Sequence, residues 1–189
     1  MLEDAAREHG IDLNAIDAED DLESETQKRE RLQEHPAAQG AHQYLKEVND
    51  WFKESGAIFE KKEKELNDIA ALEIPNSNIN DIAIQIHDFI NVIRWYKHLI
   101  PAKIVRAIRG KLDDFGLQED PIQNDPNGSA KVALIGIERS IAAWGGLLDA
   151  FPEKEDSVLE ILVLLEKIRP HLEAEFPKAR KFIRAGFDE

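Results

Sequence analysis

The sequence of 189 residues contains no cysteine and only one methionine. Without cysteine the chain forms no disulfide, holds no thiolate-bound metal and offers no cysteine nucleophile. No apolar run approaches the roughly 20 residues that a membrane-spanning helix needs, and the acidic N-terminus lacks the apolar core of a signal peptide. These absences favour a cytoplasmic protein that does not enter membranes.

The motifs of common catalytic and metal sites are also missing. The chain has no H-E-x-x-H, G-x-S-x-G, G-x-G-x-x-G or phosphate-loop signature, and the Glu-x-x-His pairs of di-iron bundles do not occur. The acidic stretch from Asp113 to Asp125 lacks the spacing of an EF-hand loop. His87 and His98 would lie about 16 Å apart along a helix, too far to share one ion. We therefore predict no cofactor, no metal site and no catalytic residue.

Negative charge is concentrated at the N-terminal end. The chain has a net charge of −14, which disfavours binding to nucleic acids or anionic membranes as its main role. Residues 1–40 hold twelve acidic and four basic side chains, a net charge of −8, and few large apolar residues. We predict that residues 1–40 form a disordered acidic tail and that residues 41–189 form one folded domain.

Apolar residues recur at helical spacing through the predicted domain. They predict four helices, at residues 41–73, 78–111, 129–150 and 156–175, joined by short connections that favour antiparallel neighbours. The predicted fold is therefore all-α, an up-and-down four-helix bundle. Pro101 lies inside the second helix and predicts a kink.

The third predicted helix is apolar nearly all round. Trp144 lies on its main face, beside a stripe of small residues: Ala133, Gly136, Ser140 and Ala143. A helix of this composition is normally central or shared with a second subunit. We expect a homodimer in which Trp144 and the small-residue stripe are buried between the subunits.

The second predicted helix carries an unusual polar face. Between Phe89 and Leu112 there are six basic residues and no acidic one. Such a face is either solvated, or paired with carboxylates of neighbouring helices, or an anion-binding groove. Glu138 of the third helix is expected to pair with Arg94 or Arg106, or to act as an acid or base. The candidate ligand-binding residues are His87, Asn91, Arg94, Trp95, His98, Arg106 and Glu138.

Three stretches carry a resemblance to a known family: VIRWYKHLIPAKIVRAI, DPNGSAKVALIGIERSIAAW and the ending FPKARKFIRAGFDE. They resemble a bacterial family of helical proteins of unknown function, over roughly residues 79–189. The resemblance implies a compact helical domain and assigns no activity. The helical HEPN nucleases carry an Arg followed by a His five to seven positions later, whereas Arg94 and His98 are four apart.

Three functional hypotheses follow. The leading one is a noncatalytic binding or assembly module that forms a homodimer and has room for a further protein partner. The second is a protein that binds a small anionic ligand, or an enzyme, using the polar face of the second helix. The third is an RNA-binding or RNA-cleaving bundle that uses the Arg/His face and the basic C-terminal segment.

Overall fold

The computed structural model describes residues 25–71, 79–113 and 120–188, which contain helices and no strand. The chain divides into two units, Met1–His35 and Pro36–Glu189. In the first unit residues 25–34 are helical. The prediction of a disordered tail over residues 1–40 is therefore wrong for residues 25–34 and 36–40, which are helical. Its remaining part, residues 1–24, lies outside the described residues. None of the described helices is long and apolar enough to cross a membrane.

The described residues of the second unit form four α-helices, which we label α1 to α4. They are α1 (Pro36–Ala71), α2 (Ile79–Leu112), α3 (Asp125–Ala150) and α4 (Glu155–Glu175). Two short 3₁₀ helices follow α3 and α4, at Pro152–Lys154 and Ala179–Lys181. The prediction of an all-α chain is confirmed for the described residues.

Two helices begin earlier than the sequence predicts. α1 begins at Pro36, and Ala37, assigned to the tail, is fully buried. α3 begins at Asp125 because the side chain of Asn124 accepts a hydrogen bond from the Asn127 backbone N–H at 2.9 Å and caps the helix. Pro126 follows in the first turn, where its missing N–H leaves no hydrogen bond unmade.

The helices of the second unit contact one another in a ring. α1 contacts α2 and α4, and α3 also contacts α2 and α4. α2 and α3 are antiparallel, because Phe89 lies against Gly146 while Tyr96 lies against Gly136. α2 continues through Pro101 to Leu112 without a break.

α3 is buried within the chain itself. Trp144 and Ala133 are 0% exposed. Gly136 touches Tyr96 and Ile100 of α2 so closely that a Cβ would lie 2.8 and 2.9 Å from their side chains. The small-residue stripe is therefore buried within the chain, with Gly136 against α2, and the expectation that it lies between subunits is wrong.

Aromatic rings join α1, α3 and the start of the following turn. The rings of Trp51 and Trp144 meet edge to face, with centroids 4.8 Å apart. Phe151 lies 6.4 Å from Trp51 in the same geometry. Burial raises the pKa of the nearby Tyr44 hydroxyl, and Ser140 beside it offsets part of that rise. These side chains fix α1 against α3 in the middle of the unit.

The C-terminal segment folds back onto the start of α3. The Ile183 backbone N–H donates to the Gln123 side chain at 2.9 Å, and the Gln123 amide donates to the Ile183 carbonyl at 3.3 Å. Lys131 Nζ donates to the Phe182 carbonyl and to Asp188, both at 2.5 Å. Phe187, within this segment, is 80% exposed. We call these contacts of residues 182–188 the C-terminal clamp.

Candidate functional site

Six of the seven candidate residues lie on the side of α2 that faces away from the core. At about 100° per residue, positions spaced alternately four and three apart fall on one side of a helix. Eight exposed residues of α2 follow this spacing without interruption. We call them the outer face of α2: Ile84, Asp88, Asn91, Trp95, His98, Ala102, Val105 and Arg109. His87, Arg94 and Arg106 flank this face and are also exposed.

Three large apolar side chains on the outer face are exposed to solvent. Trp95 is 72% exposed, Ile84 is 58% exposed and Val105 is 39% exposed. The other two tryptophans, Trp51 and Trp144, are 2% and 0% exposed. An indole that is left in water at the centre of a helix face provides a large apolar area for a partner.

The polar side chains in the N-terminal half of α2 contact neighbouring residues of α2 or of α1. The Asn91 side-chain amide lies 3.0 Å from Nδ1 of His87, one helical turn away. The guanidinium of Arg94 lies over the Phe52 ring of α1, 5.4 Å from its centroid. Lys97 Nζ donates to the Asn49 side chain of α1 at 2.8 Å. The contacts to Phe52 and Asn49 hold one side of α2 against α1. Trp95 and His98 lie outside these contacts and face solvent.

Arg106 and Arg109, in the C-terminal half of α2, each have a carboxylate partner. Arg106 binds Asp125 at the start of α3 through two hydrogen bonds, of 2.9 Å from Nε and 2.8 Å from Nη2. Arg109 Nε lies 3.4 Å from Asp113. The hydrogen bond to Asp125 raises the pKa of Arg106. The guanidinium is charged with or without this bond. Asp113 and Asp125, at the two ends of the acidic stretch, therefore both lie at the basic end of α2.

A surface depression lies beside this basic end. It has a volume of about 380 Å³ and is lined by Arg106, Arg109, Gly110 and Asp125. Arg106 is the one candidate residue in this lining, and Asp125 occupies the two donors that an anionic ligand would use. The other candidates on α2 do not line this depression. Their ligand-binding role stays a prediction.

Glu138 is not part of this site. Its Oε1 accepts a hydrogen bond from Nη2 of Arg180 at 2.7 Å, and the same Arg180 nitrogen binds Glu173 of α4 at 2.5 Å. The expected pairing with Arg94 or Arg106 is therefore wrong, and Glu138 is exposed, not buried. The two carboxylates raise the pKa of Arg180, and this residue links α3 to α4.

The described residues contain no cluster of three or more side chains suited to holding a metal ion. In the comparisons with known proteins, no family model, no curated protein and no solved structure matches this chain. The arrangement of its own side chains is therefore the basis for any functional conclusion.

The candidate residues include three of the eight members of the outer face and omit five: Ile84, Asp88, Ala102, Val105 and Arg109. The strongest apolar stripe on α2 is the buried one, whose members include Ile93, Ile100 and Ile104. The outer face mixes apolar and polar residues, so no apolar periodicity marks it in the sequence. The structure adds that Ile84, Trp95 and Val105 on this face are exposed.

Proposed function

We propose that this protein is a noncatalytic binding or assembly module whose contact surface is the outer face of α2. The exposure of Trp95 carries this proposal. Tryptophan is enriched among the residues that contribute most to protein–protein binding, and Ile84 and Val105 place apolar area on both sides of it along the helix. A surface with these features suits a helical partner that lies along α2.

The rest of the unit supports α2 as a rigid platform. We propose that α1 to α4 form an up-and-down four-helix bundle, which the ring of helix contacts and the antiparallel α2–α3 pair support. α2 packs its buried stripe against α1 and α3 and keeps the opposite side for a partner. The absence of cysteine is consistent with the cytoplasmic location that we propose for this module.

The Arg106–Asp125 pair supports this contact role over ligand capture. A free guanidinium would attract small anions, whereas a guanidinium that is already hydrogen-bonded twice to a carboxylate has little net charge to offer. The pair instead fixes the end of α2 against the start of α3. It therefore contributes to the shape of the contact surface.

Site-specific photo-crosslinking in the cells that make the protein tests this proposal. A benzophenone amino acid in place of His98 is expected to cross-link one discrete protein, which mass spectrometry identifies. The same amino acid in place of Lys167, on the exposed side of α4, is the matched control. Trp95→Asp should abolish the cross-link from position 98. Absence of any cross-linked protein at position 98, or cross-linking that survives Trp95→Asp, would refute the contact surface.

A further inference from the structure

We propose that the core between α1 and α3 binds a water molecule, held by Tyr44, Ser140 and Trp144. The proposal is independent of the contact surface on α2, because it concerns three buried polar groups between two other helices. Tyr44 belongs to α1, whereas Ser140 and Trp144 belong to α3 and lie about one helical turn apart. All three residues are 0% exposed.

The polar atoms of these three side chains lack the hydrogen bonds that buried groups normally make. The Tyr44 hydroxyl, Ser140 Oγ and Trp144 Nε1 are buried, and none of them has a hydrogen-bond partner among the residues that the structure describes. A buried polar group without a partner destabilises the folded state. In folded proteins most such groups are paired with the protein or with ordered water, so one bound water would remove the penalty at all three atoms.

The three polar atoms lie close together. Burial raises the pKa of the Tyr44 hydroxyl, and the side chains of Ser140 and Trp144 both offset part of that rise. A neutral side chain has this effect only when it lies near enough to bond to the ionised hydroxyl. The atoms are therefore near enough to share one small ligand, although they are not aligned for direct hydrogen bonds.

Ser140 shows most clearly that a further partner is needed. A serine inside a helix usually points its hydroxyl to solvent or donates it to the carbonyl four residues earlier. Ser140 does neither, since it is 0% exposed and its Oγ has no hydrogen-bond partner in the described part of the chain. Its hydroxyl is available to a ligand between the two helices.

The donors and acceptors of the three groups match a water molecule. Trp144 Nε1–H can only donate, whereas the hydroxyls of Tyr44 and Ser140 can each donate and accept. If the groups paired directly, Trp144 could donate to Tyr44 and Tyr44 to Ser140, but the Ser140 hydrogen would still need an acceptor. A water molecule can accept from Trp144 and Ser140 and donate to Tyr44, which gives the roughly three hydrogen bonds typical of buried water.

Oxygen-17 relaxation dispersion of the water signal tests the proposal, because its amplitude counts the long-lived internal waters of a protein in solution. The full-length wild type is compared with the double variant Tyr44→Phe, Ser140→Ala, which lacks both hydroxyls. The amplitude should fall by about one water molecule in the double variant. Ser157→Ala is the matched control, since its hydroxyl donates to the Lys154 carbonyl at 2.9 Å, and it should keep the wild-type amplitude. Thermal melting verifies that each variant folds.

A crystal structure of the full wild-type chain tests the position of the water. Electron density for it is expected at about 2.6–3.2 Å from the Tyr44 hydroxyl, Ser140 Oγ and Trp144 Nε1. Equal dispersion amplitudes in the wild type and the double variant would overturn the proposal. So would direct hydrogen bonds among the three side chains with no density between them. If the double variant does not fold, the wild-type crystal structure decides alone.

Discussion

The ring of Phe89 on α2 lies directly over Gly146 on α3, where a Cβ would overlap it and even the third-nearest ring atom would be only 2.8 Å away. The neighbouring Gly145 has no heavy atom within 4 Å of the same position. Two adjacent glycines of one helix therefore stand in opposite surroundings.

Alanine substitutions at these two glycines should change stability in opposite directions. Gly146→Ala forces the Phe89 ring to move and should lower the free energy of unfolding by about 1–3 kcal/mol, the usual cost of overpacking. Gly145→Ala meets open space and should raise it by roughly 0.5–1 kcal/mol, because alanine favours the helix. Urea denaturation of both variants gives the comparison, and a shift of the same sign in both would contradict the α2–α3 packing.

The two kinds of tryptophan should respond differently to truncation. Trp144→Ala removes a fully buried ring and should cost about 3–5 kcal/mol of unfolding free energy. Trp95→Ala, at a 72% exposed position, should change it by no more than about 0.5 kcal/mol. The Trp95 variant should also lose most of the fluorescence that iodide quenches in the wild-type monomer. Retention of that quenching would place the exposed indole elsewhere.

Lys131 should hold the C-terminal clamp closed. Lys131→Met removes the donors to the Phe182 carbonyl and to Asp188, so residues 182–188 should open more often. Native-state trypsin is then expected to cut after Arg184 several-fold faster than in the wild type. Lys178→Met, at an exposed lysine nearby, is the control, and trypsin should cut it after Arg184 at the wild-type rate. Equal rates in all three proteins would show that the clamp does not depend on Lys131.

Acid should weaken the C-terminal clamp. Hydrogen bonds from Arg184 and Lys131 hold the pKa of Asp188 well below its usual range. The stabilisation of a carboxylate whose folded pKa is lowered is complete above the unfolded value of about 3.9 and is lost as the pH falls below it. The wild-type melting temperature should therefore fall more steeply between pH 5 and pH 2 than that of Asp188→Asn. Asp156→Asn, at an exposed position of α4, should keep the wild-type slope.

The sequence was sufficient to predict the four helices of the second unit, because their buried residues show in the spacing of isoleucines and leucines. It did not predict the helix at residues 25–34, which has few large apolar residues. It was less informative about helix ends. Asn124, Asn127 and Ser129 are all good capping residues, and only the backbone geometry shows that Asn124 is the cap. The start of α1 was placed late because Ala37 and Gly40 are small residues that contribute little to an apolar stripe.

The partners of charged side chains were beyond sequence reasoning. Arg180 reaches Glu138 from 42 positions away, and no periodicity connects two residues on different elements. The all-round apolar character of α3 has two explanations, burial by its own chain or by a second subunit, and composition cannot distinguish them. The packing of Gly136 on Tyr96 decides for the first.

The pairing of Gln123 with Ile183 has a consequence for synthesis. The two residues are 60 positions apart, and at roughly 5–20 residues per second a ribosome needs about 3–12 s to add that length. During this interval the start of α3 exists without the segment that clamps it. A chain that ends after Phe176 should therefore leave the side chains of Gln123 and Lys131 without these partners, and trypsin should reach Lys131 faster than in the full chain.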